Sequence, residues 1–378
     1  MTGPSTPLKT ILSLFAAAIL AGGFYLYWPT RPAEESDGFE VREFGERGDS
    51  AMILVEPALK ARNYRRAEDL RAELARHLDE AKKRGWIDER SIIVFPEHIG
   101  TWLVAADAPA LAYRSKSLAT ASLALIADGP LAFMRAWRRS GEDDRAAASF
   151  FRARGAAMAR NYVEIFGSLA RDYGATIVAG SIVLENPVIE GDAVRTQYGA
   201  LYNVSAVFKP DGSIHPSLVF KRHPIPSETA FARAGARATP VFETPGGRLG
   251  VLICADSWHP EMYAELSAGD VETVAVPAFL QADDAWGKAW GGYVTPPPDD
   301  VAPSDTGRLT EGEAWRTYAM PARLASSGAV TGGAAFLHGD LWDLGADGRT
   351  LAVTHEQTFV GDGAPDGAVT VIWRQDAD

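Results

Sequence analysis

The one cysteine of this 378-residue chain, Cys254, closes an apolar run, Leu249–Cys254 (LGVLIC), and is followed by Ala-Asp-Ser-Trp-His-Pro-Glu. A single cysteine excludes an intrachain disulfide and a cysteine-based zinc site. It is then either a small core residue, the usual fate of a lone thiol, or a nucleophile. The junction of a strand with a helix favours an anion, because free N–H groups and the helix dipole lower a thiol pKa. A thiol nucleophile also needs a base and a group to hold the oxyanion. Two other strand ends offer them. Ser91–Phe95 runs into Pro96-Glu97, and Val219–Lys221 ends in Lys221-Arg222-His223. If those strands are neighbours, Glu97, Lys221 and Cys254 converge at one sheet edge. Taken singly, a Glu or Lys after a strand is a solvated surface residue, and His98 and His223 read as packing or surface residues. The chain has no His-Glu-x-x-His and no Gly-x-Ser-x-Gly, which speaks against a zinc peptidase or a serine hydrolase.

Short β-type runs alternate with helical periodicity along the elements that must position these residues. Strands are expected at Ala51–Val55, Ser91–Phe95, Thr176–Val183, Gly199–Phe208, Ser217–Lys221, Leu249–Cys254, Thr273–Pro277, Ala329–Phe336, Leu351–Thr354 and Ala368–Trp373. Helices are expected at Arg66–Arg84, where Leu70, Leu74, Leu78 and Ala81 recur every three to four residues, at Ala146–Tyr173, Pro260–Ala268 and Glu311–Ser326. Hairpin turns among strand–helix units indicate one large α/β domain with mixed sheets over residues 49–378. The nearly uncharged Ser117–Met134 reads as a buried helix, with an interfacial helix as the alternative. Phe279–Gly312, rich in Trp, Gly and Pro, reads as a lid or binding loop.

With these residues in place, the sequence resembles the nitrilase superfamily of carbon–nitrogen hydrolases. The matching segments are IIVFPEH (Ile92–His98), VFKRHPIPSE (Val219–Glu228) and GRLGVLICADSWHPE (Gly247–Glu261). Looser matches are YNVSAVFKPDGSI (Tyr202–Ile214) and MPARLASSG (Met320–Gly328). The resemblance implies a four-layer α-β-β-α sandwich with Cys254 as nucleophile, Glu97 as proton carrier, and Lys221 with the backbone N–H of Ala255 as oxyanion holder. It implies no cofactor and no metal. Glu228 fits the family's second glutamate, which positions substrate or lysine; a surface carboxylate fits equally. Ala255-Asp256 resembles the amidase branch more than true nitrilases, so the expected substrate is a small-molecule amide. Departures surround the pocket: Ala255 replaces an aromatic, Leu-Ala-Ser-Ser follows Arg323 where a Glu is frequent, and Pro277-Ala278-Phe279 replaces small polar residues. The segment from Lys221 to Glu228 also resembles apolipoprotein N-acyltransferase, which leaves acyl transfer involving a lipid-linked substrate as an alternative. A non-catalytic binding or assembly module is the third reading. The family resemblance further implies self-association through outer helices.

Residues 10–28 (TILSLFAAAILAGGFYLYW) carry no charge and end in aromatics and Pro29. About 20 apolar residues suffice to span a bilayer as a helix. We therefore expect a tail at 1–9, a single transmembrane anchor at 10–28, a linker at 29–48 and an extracytoplasmic, periplasmic domain. A cleaved signal peptide is the alternative. The net charge of −12 argues against a nucleic-acid partner.

Overall fold

The computed structural model describes residues 38–354 and 357–374. The expected anchor at 10–28, the tail before it and the first part of the linker lie outside the described residues. The fold is built on two six-stranded sheets stacked face to face. In the first, the strands run in the order Glu40–Phe44, Gly367–Arg374, Ser50–Pro57, Ile92–Val94, Thr176–Val178 and Val207–Phe208. In the second, the order is Gln357–Val360, Leu351–Thr354, Thr331–Phe336, Thr273–Ala278, Gly247–Val251 and Val241–Thr244. The central strands of each are parallel, and the flanking ones are mostly antiparallel. A third, three-stranded sheet joins Ile182–Glu190, Ala193–Ser205 and Val219–Phe220.

Strand alternation explains the layering. In Ser50–Pro57 every residue is buried, so both faces must be covered. Ile53 and Val55 pack with Leu70, Leu74 and Leu78 of the Ala67–Lys83 helix and with Phe166 of the Arg145–Tyr173 helix. Met52 and Leu54 point the other way, into a core shared with Val251, Val276 and Ala334 of the second sheet. A Cβ on Gly333 would meet Leu54, Ile372 and Met52, whereas one on Gly332 would meet Met320 and Leu324. The second sheet therefore has its own outer helical layer, which includes Pro260–Ser267 and Glu311–Tyr318. The result is helix, sheet, sheet, helix.

Several elements depart from the sequence reading. Part of the expected 29–48 linker is a strand: Glu40–Phe44 pairs in parallel with Ala368–Ile372. The expected Thr176–Val183 strand is two strands in different sheets, because the chain turns at Gly180, whose φ is +65°. A Cβ there would stand 2.1 Å from the Pro96 carbonyl oxygen, so only glycine permits the approach. The expected Glu311–Ser326 helix breaks at Ala319 before Pro321 and resumes as two short turns. Ser117–Met134 is neither one helix nor fully buried. It forms Leu118–Asp128 and Pro130–Arg139, bent by 106° at Gly129. Among the described residues no single helix is long and apolar enough to cross a membrane, and this bent pair meets the criterion only by length and composition.

Candidate active site

Glu97, Lys221 and Cys254 do converge, although not from one sheet. Glu97 follows the Ile92–Val94 strand of the first sheet, and its N–H donates to the Ala278 carbonyl of the second at 3.3 Å. Lys221 follows the short Val219–Phe220 strand of the third sheet, its N–H donating to the Asn203 carbonyl at 2.9 Å. Cys254 follows the Gly247–Val251 strand of the second sheet and opens a 3-10 turn, Cys254–Trp258. The site is thus the point where three sheets meet. Two residues there, His98 and Cys254, hold positive φ of 61° and 49°. Side chains other than glycine rarely adopt that region, and such strain gathers at functional sites.

The polar centre is a buried ion network. The Lys221 ammonium donates to Glu97 Oε1 at 2.7 Å and also to Glu228 Oε2. The Asn203 amide donates to both carboxylates, at 2.9 Å to Glu97 Oε1 and 2.8 Å to Glu228 Oε1. His98 Nε2 lies 3.4 Å from Glu228 Oε1, and its Nδ1 meets Thr101 Oγ1 at 3.0 Å. Lys221, Glu97 and Glu228 are almost wholly buried. Burial alone would lower the lysine pKa, but the Glu228 and Glu97 carboxylates outweigh it and hold the ammonium charged. Burial works against Glu228 too, and Lys221 and His98 outweigh it, so its carboxyl stays well below the usual range. Glu228 is therefore part of this buried ion network, and the surface reading does not hold. It also accepts the Ile225 N–H at 3.0 Å, which pins the loop after Lys221.

The thiol behaves differently from expectation. Burial pushes the Cys254 pKa well up, the Glu97 carboxylate pushes it further, and Lys221 only partly opposes them. The strand–helix junction does not give a resting thiolate here, because desolvation of an anion exceeds the help of one shared ammonium. Asp256, two residues on, accepts the N–H groups of Arg222 and His223 at 2.9 and 2.8 Å. It thereby fastens the lysine segment to the cysteine turn. Burial pushes its carboxyl up to about 7, against the pull of Lys221.

Two cavities open onto this centre. One, of about 610 Å³, is lined by Cys254, Ala255 and a wall of aromatics that includes Trp258, Trp290 and Trp315. Glu311 also lines it, its carboxyl pushed up to about 7 by burial and partly held back by Trp315. The other, of about 550 Å³, is lined by Glu97, His98 and Glu228. Ile225, Ser227, Phe279 and Gln281 line both. Part of the Phe279–Gly312 segment, residues between Phe279 and Thr295 together with Glu311, does form cavity wall. Metal binding fits neither candidate cluster. Glu97 and Glu228 already turn on the Lys221 ammonium. His223 and His259, beside Glu261, stack at 3.5 Å with a 9° interplanar angle, so their lone pairs lie in separate parallel planes and cannot both aim at one ion.

Carbon–nitrogen hydrolases are the family whose sequence model matches this chain, over residues 58–291. The chain belongs to that family. Comparison of this carbon–nitrogen hydrolase with solved structures finds the same α/β fold in an amidase of the nitrilase superfamily from Nesterenkonia sp. AN1. A mutant of that amidase superposes with a TM-score of 0.52 at 14% identity, covering 88% of this chain and 93% of the other. Its complex with acrylamide gives 0.51 at 16%, covering 89% and 94%. Its complex with butyramide gives 0.51 at 15%, covering 87% and 92%. At such identity the likeness is one of fold. Comparison with curated protein sequences finds no match.

Asn203 and His98 were the residues that sequence reasoning missed. Asn203 sits in the quoted YNVSAVF strand, where a polar residue buried between Tyr202 and Val204 was the available signal. His98 had none beyond adjacency to Glu97, since its role depends on the turn at positive φ.

Proposed function

We propose that this hydrolase is an amidase that cleaves a non-peptide C–N bond through a Cys254 acyl-enzyme. The observation that carries the reading is the convergence of Glu97, Lys221 and Cys254 from three sheets, with the cysteine held at positive φ. The buried thiol is protonated at rest, so its proton passes to Glu97 as sulfur attacks the carbonyl carbon. The Lys221 ammonium and the Ala255 N–H face the developing oxyanion. Collapse expels the amine, which takes the proton from Glu97. Water then gives a proton to Glu97 and attacks the thioester, releasing the acid while the proton returns to sulfur. Glu228 and Asn203 act through Lys221 and Glu97 by fixing their positions. Small amides such as the acrylamide and butyramide bound by the Nesterenkonia enzyme are the first substrates to try.

The same chemistry with an amine in place of water would make an acyltransferase, and the large cavity beside Glu97 favours keeping that reading. A membrane anchor at 10–28, with the domain on the extracytoplasmic side, is part of the proposal and rests on sequence alone. Incubation with amides should give an acyl adduct on Cys254 by mass spectrometry, and Cys254→Ala and Glu97→Gln should abolish turnover with the fold retained. Turnover unchanged in Cys254→Ala would refute the assignment. Transfer of the adduct to an added amine faster than to water would select the acyltransferase.

A further inference from the structure

The cavity beside Glu97 is far larger than a small amide needs. Its volume, about 550 Å³, falls in the range of pockets that enclose drug-sized ligands. Away from the ion network its walls are mostly apolar, with Ser122, Asp144, Ser227 and Gln281 as the polar exceptions. Leu118, Leu125 and Ile126 come from the Leu118–Asp128 helix, and Trp102, Phe150 and Phe231 come from elsewhere in the fold. The same helix and its bent continuation carry apolar side chains on their outer surface as well. Leu123 is 65% exposed, Leu131 73% and Met134 46%. The Leu118–Asp128 helix is thus apolar toward the cavity and, at Leu123, toward solvent, and Leu131 and Met134 continue the exposed apolar side chains onto the Pro130–Arg139 helix; such exposure marks an interaction surface. The combination suits a ligand that is itself apolar along its length.

We propose that this cavity is a chain-binding subsite, and that the scissile amide carries a long unbranched aliphatic group lying along the Leu118–Asp128 helix. The proposal rests on the amidase reading for the placement of the amide at Glu97 and Cys254, and adds the substrate class. The polar end of the ligand meets Glu97, His98 and Glu228, while its methylenes displace water from the apolar wall. The cavity lined by Cys254 takes the other, shorter side of the amide.

Binding to the Cys254→Ala protein tests this without turnover. Calorimetric titration should show affinity rising roughly threefold to fourfold per buried methylene. Either decanamide or N-decylacetamide should therefore bind at least about a hundredfold more tightly than butyramide, with a negative heat-capacity change. Adding Ser122→Trp, which fills the cavity from the helix, should remove that gain, whereas Leu123→Ser on the outer side should keep it. If Ser122→Trp does not fold, Ala119→Trp serves in its place. Equal affinity for short and long amides, or a gain that the tryptophan leaves untouched, would overturn the proposal. Chain binding with no acyl adduct in the wild-type protein would sink the amidase reading and leave the subsite standing.

Discussion

Asp256 shows how one buried carboxyl links the site to the pH dependence of folding. Its two accepted N–H bonds tie the Lys221 segment to the cysteine turn, yet burial raises its pKa from 3.8 to about 7. Between those values the folded chain keeps a proton that the unfolded chain has released. Its contribution to stability is therefore complete below about pH 4 and is lost as pH rises toward 7. Glu56, buried against Thr350 and the Phe336 N–H, is raised to about 7 by the same cause and acts in the same direction. Glu228 acts oppositely. Its depressed pKa gives stability that is present above its unfolded value of 4.5 and lost as pH falls below it. Asp256→Asn keeps the acceptor oxygen and removes the titration. Melting temperature should then fall less steeply from pH 4 to 7 than in the wild type, and an unchanged slope would mean that Asp256 does not hold that proton.

The elements around the site are set by close approaches more than by propensity. Gly180 lets the chain leave the first sheet and enter the third while its backbone passes the Pro96 carbonyl. Pro96 precedes Glu97, so a side chain at 180 would displace the very turn that aims the carboxylate. Gly180→Ala should destabilise the fold by about 1–3 kcal/mol, the usual range for strain at a special backbone position. It should also lower kcat more than it raises KM, because Glu97 moves while the apolar cavity walls stay. Urea denaturation with steady-state kinetics on a responsive amide checks both. A loss of stability with kcat intact would show that the turn does not govern Glu97.

At the scale of the whole molecule, stability depends on strands far apart in sequence. Glu40–Phe44 covers the edge of the Gly367–Arg374 strand, with Trp373 donating to Glu43 Oε1 at 2.6 Å and Arg42 donating to Thr350 Oγ1 at 3.1 Å. Deleting residues 38–46 would bare that edge and leave the buried Glu56 without its nearest cation, 3.9 Å away. The shortened protein should unfold at a lower urea concentration and aggregate more readily, as read by denaturation and light scattering. An unchanged midpoint would return the segment to the linker role expected from its composition.

Much of the chemistry was legible in the sequence because it resides in residue type at strand ends. The runs SIIVF and LGVLIC placed Glu97 and Cys254 beyond buried strands, and Lys221 followed a third. Period-two and period-3.6 patterns located most of the helices and strands. What composition could not reveal depended on which strands pair. A polar Asn203 and a histidine beside Glu97 look like ordinary packing until the fold brings Asn203 onto Glu97 and Glu228, and His98 onto Glu228. The break at Gly180, the pairing of residues 40–44 and the raised thiol pKa follow from contacts between residues distant in sequence. By itself the sequence determined the candidate reacting groups and the local elements that end in them. Only the tertiary structure decided their desolvation, their shared ions and the two cavities between them, because burial and electrostatics depend on neighbours that sequence spacing does not specify.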